Sequence, residues 1–594
     1  MFEGLAREYI YLSCLVRTLL RMRRLKPDSP RTIVDIIAEF AKKTPEAPAI
    51  VSHEKSYSYR GLDQAANRIA RWALAQGVGR GEAVVLFMEN RAEYIATWLG
   101  LLKVGAVAAL INANLKGAAL VHSIAIAKAK LAIVGSELGE AYREAAPGLD
   151  AKPEAWASGG TIEGLRNLDE ALAAQSPAPL AASLRQGITC KDNAFFIYTS
   201  GTTGLPKAAN FSHLRMLFMM YGFAGALNTG PSDRIYCALP LYHATGGICA
   251  VGMALTAGGA VIVKRKFSTR DFWEDCRRFE ATIFQYIGEM CRYLLNAPPE
   301  LREREHTIRT ISGNGLRPEI WARFQERFAI PRIVEFYGST EGNVSMLSYD
   351  GQLGAVGRVP RYVRRLFPFR LVRFDIVAEA PVRGADGRCI ECAPGEAGEA
   401  IGEILARPGR QFEGYTRAAD TEKKILRDVF KEGDAWFRTG DLLRRDAHDY
   451  FYFVDRIGDT FRWKGENVST GEVSEALGVV PGILEVNVYG VAVPGAEGRA
   501  GMAALVAERG FDPQALAEKL GGQLASYARP VFLRLRPELE ITGTFKLKKA
   551  DLVREGFDPD KVDDPLYWYD SAKGCYAPLT RAVFADIAAG RAKL

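Results

Sequence analysis

The sequence predicts an α/β protein in which mostly parallel sheets are covered by helices. Two observations lead to this fold class. Short apolar runs rich in β-branched residues alternate with longer patterns of helical period along the chain. The apolar runs are continuous and do not alternate with polar residues, which is typical of strands buried on both faces of a parallel sheet. No repeat of fixed period is present, so a solenoid or propeller is not expected.

The first part of the chain shows this alternation most clearly. Residues 151–179 are rich in Pro, Ala, Ser and Gly and are predicted to be a surface connection. They lead into a further apolar strand over 195–198. The earlier predicted elements, in order, are strand 83–87, helix 92–104, strand 106–111, helix 115–128 and strand 131–134.

The length of 594 residues suggests roughly three to four folding units. A stretch with many Gly and Pro over 354–408 is predicted to be rich in β-structure. Strands are expected at 485–493 and 502–506, beyond a boundary between 455 and 456. The chain is therefore divided into an amino-terminal helix (1–31), a large domain (32–455) and a carboxyl-terminal domain (456–594).

The composition is that of an ordinary globular protein. Hydrophobic residues make up 48% and charged residues 25% of the chain, and the net charge is +7. Disorder is excluded on this basis, and the absence of a long basic run with interleaved aromatics argues against nucleic-acid binding. Nine cysteines without regular spacing favour a reducing compartment. Cys389 and Cys392 are interpreted as two loop cysteines, because no second pair completes a zinc site.

The first 25 residues have an amphipathic helical pattern and no small-residue cleavage site of a signal peptide. The pattern is typical of a helix at a membrane interface, and an arginine within it disfavours a membrane span. A helix docked on the protein's own surface needs the same apolar stripe, so both interpretations stay open. The stripe consists of Leu5, Tyr9, Leu12, Val16 and Leu19, and the other side carries Arg7, Arg17, Arg21 and Arg24.

Residues 235–263 contain no Asp, Glu, Lys or Arg and are long enough to cross a bilayer. Pro240 and five glycines interrupt them. A turn, a helix of small residues and a strand over 259–263 therefore fit this segment better than a membrane span.

The densest chemical signal is the loop Tyr198-Thr-Ser-Gly-Thr-Thr-Gly-Leu-Pro-Lys207. Its glycines let backbone N–H groups approach phosphate oxygens, its hydroxyls add donors, and its lysine adds a point charge. It is not a Walker loop, because Lys207 follows Pro206 and precedes Ala208. The loop therefore predicts a phosphate site of another type.

This loop resembles the phosphate loop of the adenylate-forming superfamily, and later motifs occur in that superfamily's order over about 32–555. Further segments resemble the branch of fatty acid transport proteins and very-long-chain acyl-CoA synthetases. The superfamily motifs are Glu335-Phe-Tyr-Gly-Ser-Thr-Glu341, Thr439-Gly-Asp441, Asp455-Arg456, Lys464-Gly-Glu-Asn-Val468 and Gly543-Thr-Phe-Lys546. The branch segments are Gln285-Tyr-Ile-Gly-Glu289, Gly313-Asn-Gly-Leu-Arg317, Phe336 to Asn343, Asp459 to Ser469, Asp564-Pro-Leu-Tyr567 and Tyr576-Ala-Pro-Leu579.

The resemblance implies a large domain of mixed and parallel sheets with a β-barrel-like subdomain, followed by a small mobile α+β domain. It implies ATP and CoA as substrates and Mg²⁺ held by Glu341. Thr340 would contact the α-phosphate, Asp441 and Arg456 the ribose, and Tyr337 the adenine. The residues assigned to the nucleotide site on this basis are Tyr198, Thr199, Ser200, Gly201, Thr202, Thr203, Gly204, Lys207, Gly313, Asn314, Gly315, Glu335, Phe336, Tyr337, Gly338, Ser339, Thr340, Asp441, Arg456 and Lys546.

The resemblance also implies catalytic roles for Lys546, Thr340, Glu341 and Lys207. Lys546 would reach the carboxylate and the α-phosphate during adenylation, and Lys548 is the alternative candidate for that role. The carboxyl-terminal domain would rotate about a hinge at Arg456 and Gly458 before the thiol attacks, since glycine allows the change of φ and ψ. The residues placed on the acyl and CoA side are His243, Gly246, Gly247, Lys464, Gly465 and Glu466.

The acid is predicted to be a long or very long chain fatty acid. Small residues near His243 leave space for an apolar tunnel, and each buried methylene contributes about 0.8 kcal/mol. A steroid-type acid, a carrier-protein acceptor, and a transport or scaffold role with secondary ligation remain alternatives. With its basic amphipathic start, the chain is predicted to be cytoplasmic and peripherally bound to the inner face of the cell membrane. The sequence supports no particular oligomeric state.

Overall fold

The computed structural model describes residues 2–200, 205–376, 378–405, 411–464, 466–494, 496, 498–521, 523–542, 547–592 and 594. The predicted site residues Gly201, Thr202, Thr203, Gly204, Gly465 and Lys546 lie outside these ranges.

The helices alternate with the strands along most of the chain. Short 3₁₀-helices occur at Ser136–Leu138, Ala146–Gly148, Ala182–Arg185 and Arg361–Leu366, and a π-helix occurs at Ala244–Ala250. The α-helices are α1 (Phe2–Met22), α2 (Ile33–Lys43), α3 (Tyr59–Ala75), α4 (Ala92–Lys103), α5 (Gly117–Ala127), α6 (Gly139–Ala145), α7 (Leu168–Ala173), α8 (His213–Ala226), α9 (Val251–Leu255), α10 (Phe272–Arg278), α11 (Gly288–Asn296), α12 (Pro318–Phe328), α13 (Ala418–Glu422), α14 (Thr470–Gly478), α15 (Leu516–Gly521), α16 (Ala550–Glu555) and α17 (Arg581–Ala588).

The strands belong to six sheets. They are β1 (Pro48–Val51), β2 (Tyr57–Ser58), β3 (Ala83–Phe87), β4 (Val107–Leu110), β5 (Leu131–Gly135), β6 (Glu154–Ser158), β7 (Arg166–Asn167), β8 (Asn193–Ser200), β9 (Pro206–Ser212), β10 (Arg234–Cys237), β11 (Ala260–Val263), β12 (Ile283–Ile287), β13 (Thr310–Asn314), β14 (Ile333–Gly338), β15 (Ser345–Leu347), β16 (Gly357–Arg358), β17 (Phe369–Val372), β18 (Phe374–Asp375), β19 (Ala380–Pro381), β20 (Ala397–Glu403), β21 (Ile425–Arg427), β22 (Ala435–Arg445), β23 (Tyr450–Arg456), β24 (Phe461–Trp463), β25 (Glu466–Val468), β26 (Ile483–Ala492), β27 (Arg499–Ala507), β28 (Phe532–Leu535), β29 (Leu566–Asp570) and β30 (Cys575–Pro578).

The chain forms two compact units. The first unit comprises Met1–Leu316, Phe324–Gln352 and Glu403–Ile425, and the second comprises Arg317–Arg323, Leu353–Gly402 and Leu426–Leu594. The second unit therefore begins well before residue 456 in the sequence. The predicted domain boundary between 455 and 456 stays a prediction.

The first unit contains two large sheets. One has eight strands in the order β15-β14-β13-β12-β10-β11-β1-β2, and its six central strands are parallel. The other has seven strands in the order β7-β6-β5-β3-β4-β8-β9, parallel except for the β8–β9 pair. The predicted βαβ alternation is confirmed, and the core strands β3 and β5 are continuous runs of buried apolar residues.

The prediction of a surface connection over 151–179 is wrong. This segment contains β6, which extends the seven-stranded sheet in parallel beside β5, and also β7 and α7. The buried Trp156 of β6 packs edge-on against Trp72, with ring centroids 5.4 Å apart. One large aromatic side chain anchors a strand whose short Ala and Ser neighbours give little β-propensity.

The uncharged segment 235–263 folds as expected. It forms the end of β10, the π-helix, α9 and β11, all within the first unit. Within the described part of the chain, no helix is long and apolar enough to cross a membrane.

Helix α1 packs on α8 through a face that the periodicity did not single out. Tyr11, Cys14, Leu15 and Thr18 are buried there, and a Cβ on Gly225 of α8 would lie 2.5 Å from the Thr18 Cα. Two arginines from the side opposite the predicted stripe bind the end of α8 and the residues after it. Arg17 donates to the Gly225 carbonyl (3.3 Å) and Arg21 to the Thr229 carbonyl (2.6 Å).

The predicted apolar stripe of α1 therefore faces outward. Its five residues are between 43% and 74% exposed. The helix thus has two apolar faces, one docked on the protein and one at the surface, and the two interpretations of the sequence do not exclude each other. The stripe residues are Leu5, Tyr9, Leu12, Val16 and Leu19.

The second unit has a six-stranded sheet with the path β16-β23-β22-β20-β17, to which β21 adds beside β22. Its five-stranded sheet has the order β26-β27-β28-β29-β30. The tail segments at 564–567 and 576–579 overlap the start of β29 and most of β30, which form a hairpin, and the Tyr576 hydroxyl donates to the Pro530 carbonyl at 2.7 Å. Cys389 and Cys392 are buried free thiols. Among the described residues, no group of three or more His, Cys, Asp or Glu is arranged so that it could hold a metal ion.

Candidate active site

The predicted phosphate loop joins the antiparallel strands β8 and β9. Tyr198 turns its ring into the core, and its hydroxyl donates to the Ser123 carbonyl of α5 at 2.8 Å. Thr199 pairs with Lys207 across the two strands. The strand pair therefore brings the two ends of the loop to neighbouring positions.

A distant segment of the chain runs along β9 on its other side. Asn210 N–H donates to the Gly414 carbonyl (3.0 Å), and Thr416 N–H donates to the Ala208 carbonyl (2.9 Å). The Glu413 carboxylate accepts from the Ser212 N–H at 2.7 Å. These bonds fix the segment 413–416, which we call the clamp segment, beside the start of the phosphate loop.

The clamp segment and the helix α13 that follows it contact two predicted catalytic residues. Lys207 Nζ lies 3.1 Å from Asp420 Oδ1, and both side chains are less than 20% exposed. The Tyr415 hydroxyl donates to Glu341 Oε1 at 3.0 Å and is also hydrogen-bonded to Thr199. Burial and then the Glu341 charge raise the pKa of Tyr415, so the phenol stays protonated and donates.

Sequence reasoning missed Tyr415 and Asp420. Each belongs to an ordinary polar stretch without a recognisable pattern of its own. The nearest local signal is Gly414, which adopts a φ of +70° that favours glycine.

The loop Ser339–Val344 joins β14 and β15 and carries Thr340 and Glu341. The Ser339 hydroxyl accepts from the Gly342 N–H at 3.1 Å. Arg215, in the first turn of α8, donates to the carbonyl oxygens of both residues. The half-buried Arg215 guanidinium thus binds the backbone of this loop, and sequence reasoning did not identify it.

Glu335 does not lie at the surface of the site but is buried beneath it. Its carboxylate accepts from the Tyr286 hydroxyl (2.6 Å) and from the N–H groups of Gly315 and Leu316 (3.1 Å each). Burial raises the pKa of Glu335 to about 8, against the opposing effect of these donors. The carboxyl group therefore fixes the start of the loop after β13, next to Gly313, Asn314 and Gly315, which were predicted to contact the nucleotide.

The register of the parallel strands explains why this loop is so close-packed. A Cβ on Gly313 would lie 2.3 Å from the Tyr286 carbonyl oxygen. Gly315 adopts a φ of +77°, which favours glycine. Phe336 and Tyr337 lie near the end of the neighbouring strand β14, and Phe336 packs edge-on against Phe223 of α8 with ring centroids 4.8 Å apart.

His243 immediately precedes the π-helix, and its carbonyl accepts from the Gly247 N–H at 2.8 Å. The two glycines of this helix lie against backbone. A Cβ on Gly246 would be 2.5 Å from the Pro240 carbonyl oxygen, and one on Gly247 would be 2.0 Å from that of Leu241. Both glycines therefore allow close packing against the backbone of residues 240 and 241. The expectation that these two glycines leave open space is wrong. Wider π-helical turns are rare and occur often at functional sites.

The second unit holds the predicted ribose and hinge residues. Asp441 and Arg456 are register partners on β22 and β23, and Arg456 Nε lies 3.7 Å from Asp441 Oδ1. The preceding Asp455 is buried and accepts from the N–H and the hydroxyl of Thr470. Gly458 is exposed, has no positive φ, and a Cβ there would meet nothing within 4 Å.

The loop expected on the CoA side is the turn of the β24–β25 hairpin. Lys464 adopts a φ of +52° and donates to the Leu594 carbonyl at 2.8 Å, while Glu466 is exposed. Lys548 makes an exposed ion pair with Glu540 at 3.2 Å. The choice between Lys546 and Lys548 stays a prediction.

Comparison with known proteins defines the class. Residues 37–416 match the family model of AMP-binding enzymes, and residues 472–546 match that of the AMP-binding enzyme C-terminal domain. The chain therefore belongs to the AMP-binding enzymes, and the resemblance to the adenylate-forming superfamily is confirmed.

Full-length relatives define the branch. The chain is 42% identical over 593 residues to long-chain fatty acid transport protein 1 of Mus musculus, covering 98% of this chain and 91% of the relative. It is 40% identical over 588 residues to long-chain fatty acid transport protein 2 of Rattus norvegicus, covering 97% and 94%. Within the AMP-binding enzymes it belongs to the long-chain fatty acid transport protein family.

Solved structures share the fold. The anthranilate CoA ligase AuaEII in complex with anthranoyl-AMP superposes with a TM-score of 0.75 at 20% identity, covering 89% of this chain and 98% of that one. ATP-bound MatB from Rhodopseudomonas palustris gives 0.73 at 24% identity, covering 88% and 98%. The predicted fold class is thus confirmed.

Proposed function

We propose that the protein ligates a long or very long chain fatty acid to CoA through an acyl-adenylate, releasing AMP and pyrophosphate. The observation that best supports this is that Lys207 contacts Asp420 of α13 and Glu341 contacts Tyr415 of the clamp segment, which directly precedes α13. A cation and a hard oxygen ligand are thereby held near one another, as a triphosphate requires. The relatives' names, which specify long-chain fatty acids, support the acid.

In the first step the fatty acid carboxylate attacks the α-phosphorus of ATP, and pyrophosphate leaves. Negative charge shifts onto the leaving phosphates, so positioned donors and cations lower the barrier. In this proposal Lys207 and the hydroxyls of the phosphate loop bind the β- and γ-phosphates, and Thr340 donates to the α-phosphate. The Glu335-supported loop after β13 receives the adenine.

The residues present fit Mg²⁺. Glu341 offers one carboxylate whose Oε1 is fixed by Tyr415, and Mg²⁺ is commonly held by one or two carboxylates together with substrate phosphates. When bound, the ion would neutralise phosphate charge. Tyr415 orients the carboxylate, because its neutral hydroxyl donates a hydrogen bond to Glu341. Being uncharged, the hydroxyl does not compete with the carboxylate for the cation.

In the second step the CoA thiol attacks the acyl carbonyl and AMP leaves. We propose that the carboxyl-terminal domain from 456 onward changes orientation between the steps about Arg456 and Gly458, with Asp441 and Arg456 binding the ribose. Lys546 then serves only the first step, and His243, Lys464 and Glu466 lie on the thiol side.

Measuring the two half-reactions separately tests this proposal. Lys546→Ala should abolish acyl-AMP formation, followed as pyrophosphate release, and should keep thioester formation from supplied acyl-AMP. Lys548→Ala is the matched control and should retain both. Equal loss of both half-reactions in Lys546→Ala would reject separate roles for the two steps.

A panel of acids and acceptors tests the substrates. Rates across saturated acids should rise with chain length, and a maximum at acetate or an aromatic acid would reject a fatty acid substrate. Product analysis with CoA and with an acyl-carrier protein distinguishes the two acceptors. Fatty acid uptake that persists in Lys546→Ala would favour transport as the main role over ligation.

We further propose that the outward stripe of α1 binds an anionic membrane surface on the cytoplasmic side. Large apolar side chains on one helix face suit the lipid interface, and the exposed Arg23, Arg24 and Lys26 at its end suit acidic headgroups. Leu12→Ser with Val16→Ser should reduce flotation with vesicles containing phosphatidylserine. The exposed Leu184→Ser elsewhere on the same unit is the control. Unchanged flotation of the double variant would contradict this.

A further inference from the structure

Two buried polar side chains in the eight-stranded sheet have no hydrogen-bond partner. Gln285 of β12 is fully buried, and neither its amide oxygen nor its amide nitrogen is bonded to any described residue. Ser312 of β13 is also fully buried with an unpaired hydroxyl. Buried polar groups are nearly always paired, because an unpaired one loses its hydration without compensation. Two such groups on adjacent strands therefore require a reason.

The strand register places both side chains on one face of the sheet. Gln285 is the register partner of Ser312 on one side and of Cys237 on the other. The Cys237 sulfur lies 3.9 Å from the Gly246 carbonyl oxygen. This face of the sheet is therefore the one that lies against the π-helix 244–250.

The same face leads to the predicted nucleotide site. Asn314 follows Ser312 by two residues, so it points to the same side, about 7 Å further along the strand. Next to it, β14 presents Phe336 to α8 on this side of the sheet. The opposite face is separate, since Phe284 packs there against Phe272 of α10.

We propose that Gln285 and Ser312 form a hydrogen-bonding recognition point for an oxygen on the acyl chain, a hydroxyl or keto group near its carboxyl end. This rests on the proposed ligase function, and it requires in addition that the acyl chain runs from the nucleotide site along this face of the sheet, next to the π-helix. A glutamine amide supplies two donors and an acceptor, and a serine hydroxyl supplies one of each. Together they can form hydrogen bonds with a substrate oxygen, which in a purely apolar channel would be buried without a hydrogen-bond partner.

Discrimination between matched acids is the appropriate measurement. The acids are hexadecanoic acid, its 2-hydroxy and 3-hydroxy derivatives, and 16-hydroxyhexadecanoic acid as the positional control. The readouts are kcat/KM for pyrophosphate release and equilibrium binding of each acid. The variants are Gln285→Met, which keeps length and removes the amide, and Ser312→Ala. Gln325→Met is the matched control, because its amide already donates to the Ile330 carbonyl.

The wild-type protein should prefer a 2- or 3-hydroxy acid over the unsubstituted acid. Gln285→Met should lower that preference at least tenfold, with the rate for hexadecanoic acid kept or increased, and Gln325→Met should leave it unchanged. If both variants change stability while the ratio between acids stays constant, the two side chains hold a structural water and the inference is wrong. If the wild-type protein activates no acid at all, the proposed function fails instead.

Discussion

Asp420 occupies the position of a counter-ion to the lysine that the proposed function assigns to the phosphates. In the nucleotide-free protein the Asp420 carboxylate neutralises Lys207. When ATP binds, the same negative charge lies beside the negatively charged phosphates and repels them. At 3.1 Å and an effective dielectric constant of about 20, the attraction of such a pair is about 5 kcal/mol. Partial exposure and the freedom of the lysine reduce the net contribution to about 1–2 kcal/mol.

Asp420→Asn should therefore tighten MgATP binding by about 5- to 30-fold, since 1.4 kcal/mol is a factor of ten. Isothermal titration calorimetry without acid or CoA measures this directly. Asp28→Asn is the control, because Asp28 makes a similar pair with Lys191 (3.0 Å) on an exposed surface. Weaker MgATP binding by Asp420→Asn would show that this carboxylate helps to hold the nucleotide, and the counter-ion reasoning would be refuted.

Three further perturbations have defined outcomes. Tyr415→Phe removes the bond to Glu341, so the Mg²⁺ concentration for half-maximal pyrophosphate release should rise about three- to tenfold, as expected for a hydrogen bond of about 1 kcal/mol; an unchanged Mg²⁺ titration would contradict the orienting role. The pKa of Glu335 is raised by burial from 4.5 to about 8, so the folded state holds an extra proton between these values. The free energy of unfolding should fall by about 1.4 kcal/mol per pH unit from pH 5 to pH 8. Urea unfolding should show this slope in the wild type and a flatter one in Glu335→Gln, and equal slopes would exclude this carboxyl as the source. Gly247→Ala places a Cβ 2.0 Å from the Leu241 carbonyl oxygen, so it should lower the free energy of unfolding by about 1–3 kcal/mol and lower the Tm. Gly458→Ala is the control: its Cβ meets no atom within 4 Å, so the Tm should not change, and an equal decrease in both variants would contradict the packing role of Gly247.

The local elements followed from the sequence because strand and helix periods are local properties. Strand β3 begins and ends where the apolar run does, and α4 ends one residue before its predicted end. Strand β6 was not predicted, because its stability comes from the contact of Trp156 with Trp72, a residue 84 positions earlier that no local pattern reports.

Helix α1 shows a second limit of what the periodicity of a sequence can predict. The apolar stripe was identified correctly, but the pattern reports which face is apolar and not which face is covered. The face with Tyr11 and Cys14 is docked because Gly225 allows the two helices to approach closely. The stripe that looked like the docking face is left at the surface.

The sequence by itself determined the class of chemistry, since the composition of the phosphate loop and the order of the motifs are properties of the linear chain. Tertiary structure alone decided the partners of those motifs. Lys207 meets Asp420, and Glu341 meets Tyr415, across large sequence separations, and Glu335 serves as a buried support for a loop some twenty residues earlier. Each of these contacts depends on strand order and register, and a linear pattern contains neither.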